Sequence, residues 1–272
     1  MSVLKKFIVN ETQNLKNFTD NTYPQGSLFF SRLIKNKDVR VNGVKVDKNV
    51  SLKQGDEVCY YTTEKQESVS LYDIFYEDDE VVLVDKESGV NAEAIYASLS
   101  QRGETYFIHR LDRNTQGLLL FAKTKRAEEL LLKAFRERTV EKNYEAVLFG
   151  KLPAKHAVLT ACLKKDEKTA MVKISQNQGE KIVTEYEVVE TNADMTRVLI
   201  TLHTGKTHQI RAHMAYVGCP VVGDEKYGDH RKNEEYHTKR QMLLSKHLCV
   251  HAPLRIDGKR FSSHKKLEFP VK

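Results

Sequence analysis

Residues 107–124, FIHRLDRNTQGLLLFAKT, set a charged stretch directly before an unbroken apolar run. His109, Arg110, Asp112 and Arg113 crowd together, and Leu118, Leu119, Leu120, Phe121 and Ala122 follow almost at once. Successive side chains of a strand point to opposite faces, so a run apolar at every position reads as a buried strand. The charged residues then occupy the polar turn that leads into it. A carboxylate between two arginines stays ionised at neutral pH, because opposite charge favours the charged form. Such a group serves as nucleophile or base, and Gly117 lets the backbone turn tightly into the strand. By pattern alone the cluster is equally a structural ion pair.

Other segments extend this reading. VVLVDK, residues 81–86, fits a second buried strand, ending at a Ser88-Gly89 turn. Leu130, Leu131, Ala134 and Phe135 have helical spacing within 125–138. Strands are predicted at 143–149, 170–174, 183–190 and 196–203, a helix near 207–217, and strands near 219–222 and 248–256. Mixed helices and strands, with several adjacent strand pairs, indicate an α+β fold around a large mixed sheet. The N-terminal residues read as a separate small unit, with helices at 14–22 and 27–35 and a strand at 58–61. Between them VRVNGVKV, residues 39–46, is a hairpin, because Asn-Gly satisfies the positive φ of a tight turn. The polar stretch 62–70 reads as a linker, giving a 1–66 unit and a 67–272 domain.

Charge and composition narrow the function. No window approaches the ~18 apolar residues of a membrane span, and the first residues lack the apolar core of a leader peptide. A cytoplasmic protein with no membrane partner is expected. Cys59, Cys162, Cys219 and Cys249 lie far apart, without metal or redox spacing. His203, His208 and His213 recur every five residues, which places them on diverging directions of any one helix. No metal site is therefore expected. Residues 28–53 carry seven Lys/Arg against two acids, and residues 231–272 carry eleven against four. Two basic segments flanking a balanced chain point to a polyanion partner. The acidic run within 73–87 reads as a solvated face.

The 107–124 segment closely resembles the signature of the RluA-type pseudouridine synthases, His-Arg-Leu-Asp-x-x-Thr-Ser-Gly-Leu-Leu-Leu, with Gln116 in place of Ser. Three further blocks follow the family's order: VVLVDKESG at 81–89, with Glu87 for the usual Pro; KNYEAVLFG at 142–150; and TGKTHQIRAHMAYVGCPVVGDEKYG at 204–228, with Lys206 for the usual Arg. LCVHAPLRI at 248–256 resembles the closing strand. The resemblance implies a pseudouridine synthase fold, with a large mixed, mainly antiparallel sheet. It implies Asp112 as the catalytic residue, Arg110 as the side chain that takes the vacated base position, Tyr144 as the active-site tyrosine, and Arg211 as the partner of Asp112. Tyr144 alone would read as packing and Arg211 as helix surface; their blocks lift them. Residues 1–66 resemble an S-four-like RNA-binding domain through Ser31-Arg32, Leu33-Ile34, Val39–Gly43 and Gly55-Asp56.

The activity so implied is an isomerisation of uridines in structured RNA, with ribosomal RNA favoured and transfer RNA the alternative. Asp112 acts by covalent attack or by proton abstraction, and the sequence leaves both open. No cofactor is expected, since no redox or phosphoryl step occurs, and a monomer without an obligate protein partner is expected. Two other classes compete: a catalytically silent RNA-binding or ribosome-assembly factor on the same fold, and a metal-dependent nuclease. Intact Asp112, Tyr144 and Arg211 argue against the first, and the lack of clustered carboxylates against the second.

Overall fold

The Asn42-Gly43 turn forms as its residue types require. In the computed structural model, which describes residues 2–166 and 171–272, Asn42 and Gly43 have φ of 49° and 79°. They join β3 (Val39–Val41) to β4 (Val44–Val46). The chain reaches this hairpin through β1 (Ser2–Ile8), β2 (Gln13–Asn14), α1 (Leu15–Thr22) and α2 (Pro24–Lys35). Asn14 caps α1 by accepting from the Asn17 N–H, and Pro24 opens α2, where its missing N–H costs nothing. After the hairpin come β5 (Ser51–Leu52), paired with β2, and β6 (Glu57–Thr63). Strands order β1-β6-β3-β4, and Leu15, Phe18, Phe30, Leu33 and Val58 close a core beneath them. Phe7, Tyr23 and Tyr60 pack ring to ring at 5.0–5.9 Å between centroids, and the Tyr60 hydroxyl meets Thr19 Oγ1 at 2.6 Å.

The segment read as a linker is ordered. β6 runs to Thr63, whose side chain caps α3 (Glu64–Glu67) in a reciprocal capping box with Gln66. The acidic run forms a hairpin whose Asp73, Glu77 and Asp79 are exposed: β7 (Tyr72–Glu77) and β8 (Val81–Lys86) turn at Asp78, which accepts from the Glu80 and Val81 N–H groups. Every residue of β8 is buried. α4 (Ala92–Ser100) packs on α1 and α2, and β9 (Tyr106–Phe107) pairs with the end of β10 (Gln116–Ala122). Residues 1–113 and 119–124 form one compact unit.

Residues 114–118 and 125–272 form the other unit. It comprises α5 (Lys125–Glu137), β11 (Val140–Phe149), β12 (His156–Lys165), β13 (Val172–Ser175), β14 (Glu180–Thr191), β15 (Met195–Leu202), α6 (Gln209–Tyr216), α7 (His230–Glu235), β16 (Leu243–Val250) and β17 (Arg260–Ser262). Strands order β13-β12-β14-β15-β11-β16, antiparallel throughout, while the first residues of β10 lie parallel to β16. The α+β architecture with a large, mixed, mainly antiparallel sheet is thus present. The first residue of the strand expected at 170–174 lies outside the described residues, and the strand begins at Val172, as β13. The strand expected at 219–222 contributes a single bridge, Val221 to Leu148. Among the described residues no helix is long and apolar enough to cross a membrane.

Gly117 shows why the charged turn can enter this sheet. Its φ is +106°, and a Cβ there would sit 2.3 Å from the Ser245 carbonyl oxygen on β16. Gly117→Ala should therefore cost at least about 2 kcal/mol, from strained φ together with overpacking. Urea unfolding of the variant beside the wild type reads the loss.

Candidate active site

The turn carrying Asp112 is fastened from below by a buried cation. Lys86 ends β8 with 0% exposure, and its ammonium donates to the carbonyls of Glu87, Val90 and Arg113 at 2.8–2.9 Å. An ammonium has three donors and no acceptor, so three carbonyls replace the water lost on burial. Arg113 is gripped at both ends. Its carbonyl also accepts from the Gly89 N–H at 2.9 Å, and its Nε donates to the Gly89 carbonyl at 2.9 Å. Gly89 takes φ +91° to make this turn.

Upstream of Arg113, Ile108 and Leu111 point into the core, which leaves Arg110 exposed and Asp112 half-buried. His109 accepts the Leu120 N–H at Nε2, 3.1 Å away, so it is neutral at that nitrogen and ties the segment to β10. Arg110, 66% exposed, pairs with Glu93 on α4 at 2.9 Å. The two arginines that flank Asp112 in sequence are thus directed elsewhere, Arg110 to Glu93 and Arg113 to Asp20 and Ser27.

The second unit holds Tyr144 and Arg211. Tyr144 lies on β11, buried, opposite Ile200 of β15 and Ser245 of β16. The β16 register shifts between Asn143 and Tyr144, a bulge of the kind that re-aims a side chain. Arg211 on α6 is 6% exposed, and its fork closes on Asp224: Nε to Oδ2 at 2.6 Å and Nη2 to Oδ1 at 2.9 Å. Asp224 also accepts from the Lys226 and Tyr227 N–H groups, and the Tyr227 ring lies 5.3 Å from the guanidinium. Burial pushes the Asp224 carboxyl up, but the Arg211 pair and these N–H groups outweigh it and hold it below its ordinary value. Asp224 lies within the 204–228 block, yet nothing in the sequence marks it as the partner of Arg211. Thirteen residues separate the two, a spacing that no local period joins.

Gln209 sets the approach to α6. Its carbonyl oxygen accepts from Thr204 Oγ1 and the Lys206 N–H, and its amide donates to the Val183 carbonyl and Thr184 Oγ1. The three evenly spaced histidines diverge. His203 pairs with Glu185, His208 caps α6 at φ +54° against the Tyr227 hydroxyl, and His213 is buried against Thr184.

Comparison with known proteins decides the family. The family model described as RNA pseudouridylate synthase matches residues 80–216. An uncharacterized RNA pseudouridine synthase of Bacillus subtilis, YjbO, is 33% identical over 245 residues, covering 82% of this chain and 85% of that protein. The chain belongs to the RNA pseudouridine synthases. The synthase is also 33% identical to the ribosomal large subunit pseudouridine synthase C of Vibrio parahaemolyticus, over 80% of this chain and 78% of that one. Among solved structures it is similar to human RNA pseudouridylate synthase domain containing 1, with TM-score 0.63, 25% identity, and coverage of 72% and 85%. The fastened Asp112 turn, Tyr144 and Arg211 all lie within the matched residues, and the synthase is an isomerase.

His213 gives the synthase an acid sensitivity of known sign. Burial lowers its pKa from 6.5 to about 4, so between those values an unfolded chain binds the proton that the folded one refuses. Stability contributed by neutral His213 is present above pH 6.5 and falls as pH drops towards 4, by on the order of 3 kcal/mol. His213→Gln should flatten the fall in unfolding midpoint between pH 6.5 and 4.5; an unchanged slope would assign it to other groups.

Proposed function

We propose that the synthase modifies uridine in ribosomal RNA, with Asp112 as the catalytic group. The observation that carries this reading is the Asp112 turn itself, a half-buried carboxylate on a segment held by Lys86, Gly89 and His109 within the matched family residues. Pseudouridine formation breaks the bond between ribose C1′ and uracil N1 and makes a bond from C1′ to C5. The C5 proton leaves, N1 gains one, and atoms and electrons balance without a redox partner. Preorganised placement is the main resource for such a step, and a fixed carboxylate supplies it.

The other residues take binding roles. Uridine in folded RNA has to leave its stack before C1′ is accessible. Arg110, exposed on its Glu93 tether, fills the space the base vacates. Tyr144 offers a ring for the displaced uracil, where stacking is worth about 1–3 kcal/mol per base. Arg211, oriented by Asp224, supplies the remaining cation. Support for a ribosomal substrate comes from the relatives named ribosomal large subunit pseudouridine synthase C and D. The expected cellular place is the cytoplasm.

Residues 1–66 add an RNA-binding surface on this reading. Arg32 and Lys35 on α2, and Lys37, Lys45, Lys48 and Lys53 around the hairpin, are all exposed. Arg40 instead stacks on Tyr61, 4.9 Å from the ring centroid. Cations so placed contact phosphates and position the RNA without reading its sequence.

Asp112→Asn should abolish pseudouridine formation while RNA affinity and unfolding midpoint stay near wild type. Product formed by the purified variant at the wild-type rate sinks the assignment. Pseudouridine maps of large-subunit ribosomal RNA from cells with and without the protein should differ at one or more positions; identical maps remove ribosomal RNA as substrate. Replacing Arg32, Lys35, Lys45 and Lys48 by Gln should flatten the dependence of log K on log salt by about 0.7–0.9 for each phosphate that is no longer neutralised. An unchanged slope would remove the surface from RNA binding.

A further inference from the structure

The N-terminal helices do more than carry basic residues. Arg113, next to Asp112, donates from Nη2 to the Ser27 carbonyl of α2 at 2.7 Å, and its Nη1 lies 3.6 Å from Asp20 Oδ2 of α1. Both partners are built in. Ser27 is fully buried, its Oγ donates to Asp20 Oδ1 at 2.7 Å, and Asp20 is buried with Lys16 paired to it. Leu28 of α2 lies against the Gly89 turn, where a Cβ would come within 3.1 Å of its Cδ1. One guanidinium therefore joins three segments: the helix pair through Ser27 and Asp20, the β8 turn through the Gly89 carbonyl, and the Asp112 turn through its own backbone.

A module that only tethered RNA would have no need of buried contacts to the residue beside Asp112. A planar fork with fixed donors holds direction as well as distance, which suits it to set the angle of a backbone segment. We propose that Arg113 is a positioning residue, through which the N-terminal helix pair α1–α2 sets the placement of Asp112 for catalysis. The module that engages RNA then also completes the turn that reacts. This rests on Asp112 being the catalytic group, and Arg113 itself touches no substrate.

The test is single-turnover kinetics with full-length enzyme in excess. The probe is total RNA tritiated at uridine C5, prepared from cells lacking the protein; each isomerisation releases the C5 hydrogen, so the modified position need not be known. Arg113→Ala should lower the maximal rate by roughly 10- to 100-fold, the scale of a displacement near 1 Å, while the half-saturating enzyme concentration moves by less than about threefold. Asp20→Asn, which keeps an acceptor for Ser27 and removes the charge that faces Arg113 and Lys16, should lower the same rate in the same way, and Lys16→Gln, which leaves the Arg113 contact intact, should not. The two losses should be strongly non-additive in the double variant, because both act through one interaction. Arg113→Lys should restore part of the rate, since an ammonium can face Asp20 but lacks the fork for Ser27 and Gly89.

A maximal rate within about twofold of wild type in folded Arg113→Ala overturns the proposal. So does a loss confined to the half-saturating concentration, which would make Arg113 a binding or merely structural residue. Should Arg113→Ala fail to fold, the Asp20→Asn rate decides by the same criterion. Asp112→Asn run in parallel separates the two readings: an active Asp112→Asn removes the catalytic assignment. An inactive one beside a fully active Arg113→Ala removes the positioning role alone.

Discussion

A buried ammonium with no water has to be solvated by the protein, and Lys86 shows what that demand organises. Its three donors draw the carbonyls of Glu87, Val90 and Arg113 to one point. Removing water from an ammonium costs several kcal/mol unless such partners replace it. The end of β8, the Gly89 turn and the backbone after Asp112 therefore have one low-energy arrangement, and loss of any one carbonyl leaves a buried donor unmet. The rest of the Asp112 segment builds on it: Arg113 can reach the Gly89 carbonyl and the helix pair only because its own backbone is anchored there.

The second unit solves a similar problem with a charge pair. Arg211 and Asp224 are buried together, and their fork is bidentate, with two backbone N–H groups on the same carboxylate. A pair of this kind adds less to net stability than its hydrogen bonds suggest, because desolvation offsets the attraction. Direction is what it secures. Truncating either partner leaves the other charge buried, so Arg211 is held in one orientation. Gln209, bonded to four different groups, fixes the start of the same helix.

The N-terminal helices illustrate how an ordered junction changes the meaning of an added module. Residues 62–67 form the end of a strand and a capped helical turn instead of a loose linker. With α1 and α2 packed on α4, and Arg113 held by Ser27 and Asp20, the basic surface shares one compact unit with the Asp112 turn.

Local chemistry was legible in the sequence wherever one residue type has a single physical solution. Asn42-Gly43 suits a tight turn, the apolar runs at 81–86 and 117–122 read as buried strands and are so, and the spacing of Leu131 and Ala134 marked the buried face of α5. The charged residues around Asp112 likewise lie on a polar turn before β10, as their pattern implied. Strand β1 alternates in exposure, but its apolar residues Val3, Leu4, Phe7 and Ile8 fall on both faces, and β7 is irregular in exposure, so the sequence pattern of neither marks a strand. Tertiary structure alone decided which charges meet. Sequence proximity set Arg110 and Arg113 beside Asp112, whereas folding directs them to Glu93 and to Asp20, and brings Asp224 to Arg211 from thirteen residues away. Long side chains reach several ångströms, and a buried charge takes the partner that the packed backbone brings within hydrogen-bond distance, which no local pattern of residues encodes.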